Sequence, residues 1–471
     1  MRSRRSHPTF LSSLDEHRHS PILSDMIWDK FRRTRGDEKP ESAPPPVAED
    51  DTGDEEGFAE GDPEAIGERE RWGSRASAVI PGGSSTGSKR PEALYGDEPI
   101  DESVPTHYSH ARGCSLFLVD GESELEVVDC TMALGSVAIG YADSHVTAVV
   151  AQALQLGNVG GVPNALEVTV AERLCDFIPC AEQVRFLKSG AEAVSAAVRI
   201  ARTYTGRDRV VCAGYFGWHD WASGADVAGI PAGVRADVTR VPFDDVPALE
   251  RAVREAGSAL AAIVIEPVVE RLPSPEWIAR ARALATDAGA VLVFDEMKTG
   301  FRLKPGGYGE LAGVEPDLAV FGKALANGFP LSAVVGRADV MDAARRTWIS
   351  STLAGETLGL AATHAVLDWH EKEDVCGTLA TIGAAMRGAV ERAIVACGLP
   401  RIALSGLDQM WKIDFADAAV ETAFLRNAVP NGALFKRGAY NYAALAHEDA
   451  IGDIESAASA ALVAIREEQG S

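Results

Sequence analysis

Beyond about residue 115, apolar runs of strand length alternate with amphipathic stretches of helix length. The segment "SLFLVDGESELEVVDC", 115–130, alternates apolar and polar positions on either side of Asp120-Gly121, which predicts a β-hairpin. "ALEVTVAERLCDFI" carries the helical period instead. Further on come "RVVCAGY", "ALAAIVIEPVV", "AVLVFDE", "LAVFGKA" and "LSAVVG", with helical stretches such as "PEWIARARALATDAG" among them. Strands without a polar face are covered on both sides, and the alternation with helices predicts an α/β fold with a mostly parallel sheet. From about Ala361 the pattern turns helical and closes as a smaller C-terminal α/β region ending in a helix. No internal repeat is visible.

Composition changes the picture at the N-terminus. Residues 36–71 are acidic, Pro-rich and poor in large apolar side chains, and residues 1–71 are therefore expected to be a disordered extension. The 471 residues are 46% hydrophobic, enough for a large core. A formal net charge of -24 argues against non-specific binding to nucleic acid or to an anionic membrane. No run approaches the ~20 apolar residues of a membrane span. The start is basic but lacks the apolar core of a secretory signal, and Asp15 and Glu16 are out of place in a transit peptide. Seven dispersed cysteines without a C-x-x-C pair read as reduced thiols of a cytoplasmic protein, with no metal site among them.

Candidate chemistry begins with "VLVFDEMKTGF", an apolar strand that ends in Asp295-Glu296, and "LAVFGKALANG", which ends in Gly322-Lys323. Charges at the ends of buried strands are costly unless something pairs with them. A third piece, "VRFLKSGAEAVSAAVRIARTYTG", runs from a strand through Ser189-Gly190-Ala191 straight into an Ala-rich helix. Alone this is an ordinary strand-to-helix turn or a phosphate cup at a helix N-terminus. A fourth, "GYFGWHDW", offers aromatic rings that pack under a loop or stack on a planar ligand. Together the four are the fittings of pyridoxal phosphate (PLP): a phosphate cradle, an aromatic face, a carboxylate for the pyridine nitrogen and a lysine for a Schiff base. Asp295 would then pair with a pyridinium, and Lys323 would be held as an imine.

These motifs resemble the class III (fold type I) PLP-dependent aminotransferases, nearest the glutamate-1-semialdehyde aminomutase branch. The resemblance runs from about Val79 to Ala464 through "VIPGGSSTGSKR", "VRFLKSGAEA", "YFGWHDW", "VIEP", "VFDEMKTGFR", "VFGKALANGFPLSAVVG" and "SSTLAGETLGLAA". The separation of Asp295 from Lys323 also matches. The resemblance implies a large domain, 136–365, with a seven-stranded sheet between helices. It also implies a small domain built from 72–135 and 366–471.

It further implies that Lys323 is the Schiff-base lysine, Asp295 the partner of the pyridine nitrogen and Tyr215 the residue stacked on the ring, with Met297 on the opposite face. Ser189, Gly190 and Ala191 match the phosphate turn, and Phe216 and Glu266 join the cofactor-binding set. Thr352 is similar to a threonine that reaches the neighbouring subunit's phosphate, which implies a homodimer with active sites at its interface. On the substrate side stand Thr86, Lys89, Trp218, Glu270, Arg271 and Glu356.

Departures from the pattern gather there. Ala191 replaces a Thr, and Lys188 replaces an Asn and offers compensating charge. Phe216 stands where His is usual, and "VVERLPSPEW" replaces a Gly-rich loop. The expected reaction is amino transfer from a small-molecule donor to a carbonyl acceptor. An intramolecular aminomutase is the alternative, and a decarboxylase, an acyltransferase or a non-catalytic scaffold of the same fold are the remaining rivals.

Overall fold

The computed structural model describes residues 72–96, 104–120, 123–223, 227–399 and 401–470. The expectations for residues 1–71 lie outside that range. After the short helices Trp72–Val79 and Pro91–Tyr95 the chain forms β1 (His107–Arg112), β2 (Ser115–Asp120) and β3 (Ser123–Asp129). β2 and β3 pair antiparallel from Ser115–Val128 to Asp120–Ser123, as the alternating pattern predicts. The segments that follow are β4 (Gln183–Leu187), β5 (Arg209–Ala213), β6 (Val238–Arg240), β7 (Leu260–Ile265), β8 (Val291–Asp295), β9 (Leu318–Phe321) and β10 (Ser332–Gly336). Toward the C-terminus come β11 (Ile402–Leu407), β12 (Met410–Phe415), β13 (Ala433–Leu434) and β14 (Asn441–Tyr442).

Strands β4 to β10 form one seven-stranded sheet in the order β4-β10-β9-β8-β7-β5-β6. Its neighbours pair parallel except where β10 runs against both β9 and β4. β7, β8, β9 and β10 are buried along their whole length, which is why each reads as a continuous apolar run. Helices such as Gly190–Thr205 and Pro275–Ala288 return the chain between parallel strands, and Trp277 in the second of them is fully buried. A second sheet has the order β1-β2-β3-β13, so the N-terminal hairpin is completed by a two-residue strand from near the C-terminus. Among the described residues no helix is long and apolar enough to cross a membrane.

Register along the large sheet decides which side chains meet at its carboxyl edge. Ala213 pairs with Ile265, Ile265 with Phe294, and Asp295 with Val320. Glu266, one residue past β7, therefore stands beside Asp295, and Lys323 follows two residues after β9. Ligands of open α/β sheets lie at this edge.

Candidate active site

A cavity of about 400 Å³ opens at the carboxyl edge of the large sheet. Lys323, Asp295, Glu266 and Met297 line it, together with Ser189, Gly190 and Ala191 of the strand-to-helix turn. Tyr215, Phe216 and Trp218 complete one wall. Ten residues named from the sequence thus meet in one place.

The turn is built by local chemistry. Ser189 caps the helix Gly190–Thr205 in a capping box with Glu192. Glu192 Oε2 accepts from the Ser189 N–H at 2.9 Å and the Lys188 N–H at 3.0 Å. Gly190 and Ala191 line the cavity, and their amides lie in the helix's first turn, where no carbonyl of the helix can reach them. Gly217 has φ 84°, and a Cβ there would lie 2.5 Å from Ala191 Cβ, so the aromatic loop closes directly on the turn. A Cβ on Gly190 or Gly322 would meet Met297 Sδ at 3.0 and 2.7 Å. Met297 therefore fills the floor between the turn and the lysine.

Asp295 Oδ1 accepts from the Met297 N–H at 3.0 Å. Burial and the neighbouring Glu266 carboxylate push its carboxyl well above the usual range, against the Met297 amide, Lys323 and Lys298. Lys323 adopts φ 50°, a strained conformation for a side chain of its size. Burial and then the Lys298 ammonium push its amine well below the usual lysine range, while Asp295 and Glu266 pull the other way. Glu266 Oε2 accepts from the Tyr215 N–H at 2.9 Å, and Glu266 Oε1 forms an ion pair with Lys298. Arg302, 0% exposed, donates to the carbonyls of Ala443 at 2.7 Å and Gly135 at 3.1 Å behind the cavity.

The remaining residues named from the sequence lie elsewhere. Lys89 lines a different cavity of about 290 Å³ beside the N-terminal hairpin, and Thr86 is exposed next to it in sequence. Glu356 caps the helix Thr357–Lys372 and holds Lys188 Nζ at 2.7 Å. The Lys188 ammonium, expected to offer charge to the cofactor, is thereby engaged at the cavity rim. Glu270 pairs with Lys412 at 2.9 Å, and Arg271 pairs with Asp244 at 2.5 Å and packs over Phe243. Thr352 is exposed in the segment that also exposes Trp348 and Leu353.

Sequence reasoning passed over Lys298, which lines the same cavity as Lys323. The signal was available. Glu266 directly follows a fully buried strand, and the cost that singled out Asp295 applies to it as well.

These residues fit PLP on the geometry alone. A buried carboxylate whose one intramolecular donor leaves its other oxygen open, a helix N-terminus, an aromatic wall and a lysine of lowered basicity converge on one volume. The comparisons agree. The aminotransferase class-III family profile matches residues 98–444. A glutamate-1-semialdehyde 2,1-aminomutase of Anaeromyxobacter dehalogenans is 33% identical over 395 residues, covering 79% of this chain and 88% of that one. A 2'-deamino-2'-hydroxyneamine transaminase of Streptomyces kanamyceticus is 36% identical over 340 residues, covering 70% and 84%. Among solved structures, the FumI protein of Sphingopyxis sp. MTA144, in its PLP internal aldimine form, superposes with a TM-score of 0.79 at 27% identity, covering 85% of this chain and 97% of that one. The chain belongs to the class III aminotransferases, of fold type I, and its cofactor is pyridoxal phosphate.

Proposed function

We propose that Lys323 engages the cofactor's aldehyde and that the enzyme passes an amino group from a small-molecule amine to a separate carbonyl acceptor. The observation that carries this reading is the shared cavity of Lys323, Asp295 and the Ser189–Ala191 turn. When bound, PLP supplies an exchangeable aldehyde and a ring that accepts electrons from the substrate carbon. Asp295 would hold a proton on the ring nitrogen, its buried carboxylate gaining a hydrogen-bonded cation. The Gly190 and Ala191 amides hold the phosphate, aided by the helix dipole. Tyr215 and Met297, which line the same cavity, would hold the ring between them. Lys323 would serve as the base that takes the proton from the substrate's α-carbon and as the acid that gives it back. An amine that is already less basic than usual is suited to both transfers.

Tyr215 and Trp218, 70% and 75% exposed at the cavity mouth, together with Trp348 at 82%, favour a homodimer that covers them. In that dimer Thr352 would reach the partner's cofactor phosphate. Seven free cysteines accord with a cytoplasmic location.

The test is a screen of amines against carbonyl acceptors with the PLP-loaded protein, beside Lys323→Ala. Formation of an aminated acceptor by the parent alone supports the proposal. Isomerisation of a substrate with no acceptor present would assign the mutase variant, and release of carbon dioxide without amino transfer would assign a decarboxylase.

A further inference from the structure

Glu266 and Asp295 extend from adjacent strands, because Ile265 pairs with Phe294. Two carboxylates side by side in a buried edge repel each other, and burial adds to the cost. Lys298, three residues past Asp295, meets this cost with an ion pair to Glu266 Oε1. Its ammonium also stands 5.0 Å over the Tyr440 ring, and its side chain is only 20% exposed. Glu266 is in turn fixed by the Tyr215 N–H. A second lysine is therefore held in one place in the same cavity as Lys323.

We propose that Lys298, balanced by Glu266, is a positioning residue that sets how readily the Lys323 nitrogen takes up a proton, whether free or joined to the cofactor. The proposal rests on the reading of Lys323 given above. Four charged groups bear on Lys323: Asp295 after β8, Glu266 after β7, Lys298 in the turn beyond Asp295, and Arg302 behind it. Asp295 and Glu266 favour the ammonium form, whereas Lys298 and Arg302 oppose it, as does burial. Arg302 is fully buried against backbone carbonyls and forms a fixed background. The Lys298–Glu266 pair is different, since removing either member unbalances it in a known direction.

The experiment is a pH titration of the visible absorption band of the PLP-loaded protein, with the acid limb of kcat/KM measured in parallel. Lys298→Met removes the positive charge and exposes Lys323 to an unneutralised Glu266. Its midpoint should rise by about one pH unit, roughly tenfold in proton affinity. Glu266→Gln leaves Lys298 unbalanced, and its midpoint should fall by a similar amount. The double variant should return near the parent, and Lys298→Arg should stay there. A purely structural role for Lys298 would not produce shifts of opposite sign that cancel. If Lys298→Met loses the cofactor, Glu266→Gln and Lys298→Arg still carry the sign test. Midpoints that coincide with the parent's, or move in one direction for both single variants, overturn the proposal and leave the role of Lys323 intact. A parent without any visible band would instead remove the reading beneath it.

Discussion

Asn327 reaches across the fold to Ala138. Its Oδ1 accepts from the Ala138 N–H at 3.1 Å and the Ile139 N–H at 3.0 Å, and its Nδ2 donates to the Gly140 carbonyl at 2.9 Å. Asn327 closes the short helix Lys323–Ala326 in a left-handed conformation, φ 44°. One side chain thus ties the lysine turn to the loop that passes in front of it. Asn327→Ala strands two buried amides at about 1–3 kcal/mol each. It also places a non-Asn residue in the left-handed region, for about 1–2 kcal/mol. The expected outcome is a clear fall in melting temperature and a loss of turnover larger than the loss of cofactor. Unchanged melting would show that the tie is dispensable.

Asp295→Asn keeps the shape of the residue and removes its charge. A hydrogen bond to a charged group contributes about 1.5–3 kcal/mol, so PLP retention should weaken roughly tenfold to a hundredfold. The difference between parent and variant should narrow as pH falls, because Asp295 takes up a proton in that direction and loses the same charge. Equilibrium dialysis at two pH values measures both effects. Equal retention at neutral pH would remove Asp295 from the cofactor's partners.

Gly217 and Gly229 share φ 84°, but only Gly217 has a neighbour where its Cβ would go, Ala191 at 2.5 Å. Gly217→Ala should push the aromatic loop off the turn and release PLP on gel filtration. Gly229→Ala carries the same conformational cost without the collision and should keep the cofactor. Equal behaviour of the two would show that the closeness of loop and turn does not matter.

Glu296 is buried, and it accepts from the Tyr308 and Gly309 amides at 2.9 Å each and from the Thr299 hydroxyl. Burial nevertheless outweighs these bonds and pushes its carboxyl up to about 7. The folded protein therefore binds a proton that the unfolded chain has released, in the window from about 4.5 to 7. Stability contributed by this group is fully present below that window and is lost as pH rises through it. Thermal midpoints of the parent should fall between pH 5 and pH 7.5 by more than those of Glu296→Gln. Parallel profiles would place the pH dependence elsewhere.

The large sheet was legible because β7 to β10 are covered on both faces, which leaves an uninterrupted apolar signature. The reversed direction of β10 was not, since burial makes parallel and antiparallel strands look alike. The two-residue β13 is too short to carry any period, so the pairing of the C-terminal segment with the N-terminal hairpin was hidden as well. At the site, Asp295, Lys323 and the Ser189–Ala191 turn stood out because charge or small residues interrupt apolar runs. The partners of Lys188, Glu270, Arg271 and Glu356 were out of reach, since each ion pair joins segments far apart in sequence.

Lys323 as the residue that joins the cofactor is the central claim, and the visible absorption spectrum tests it most directly. PLP-loaded parent protein should show a yellow band that survives gel filtration, and Lys323→Ala should lose or alter it while still folding. A parent that stays colourless after added PLP, or a Lys323→Ala variant with an unchanged band, would contradict the claim.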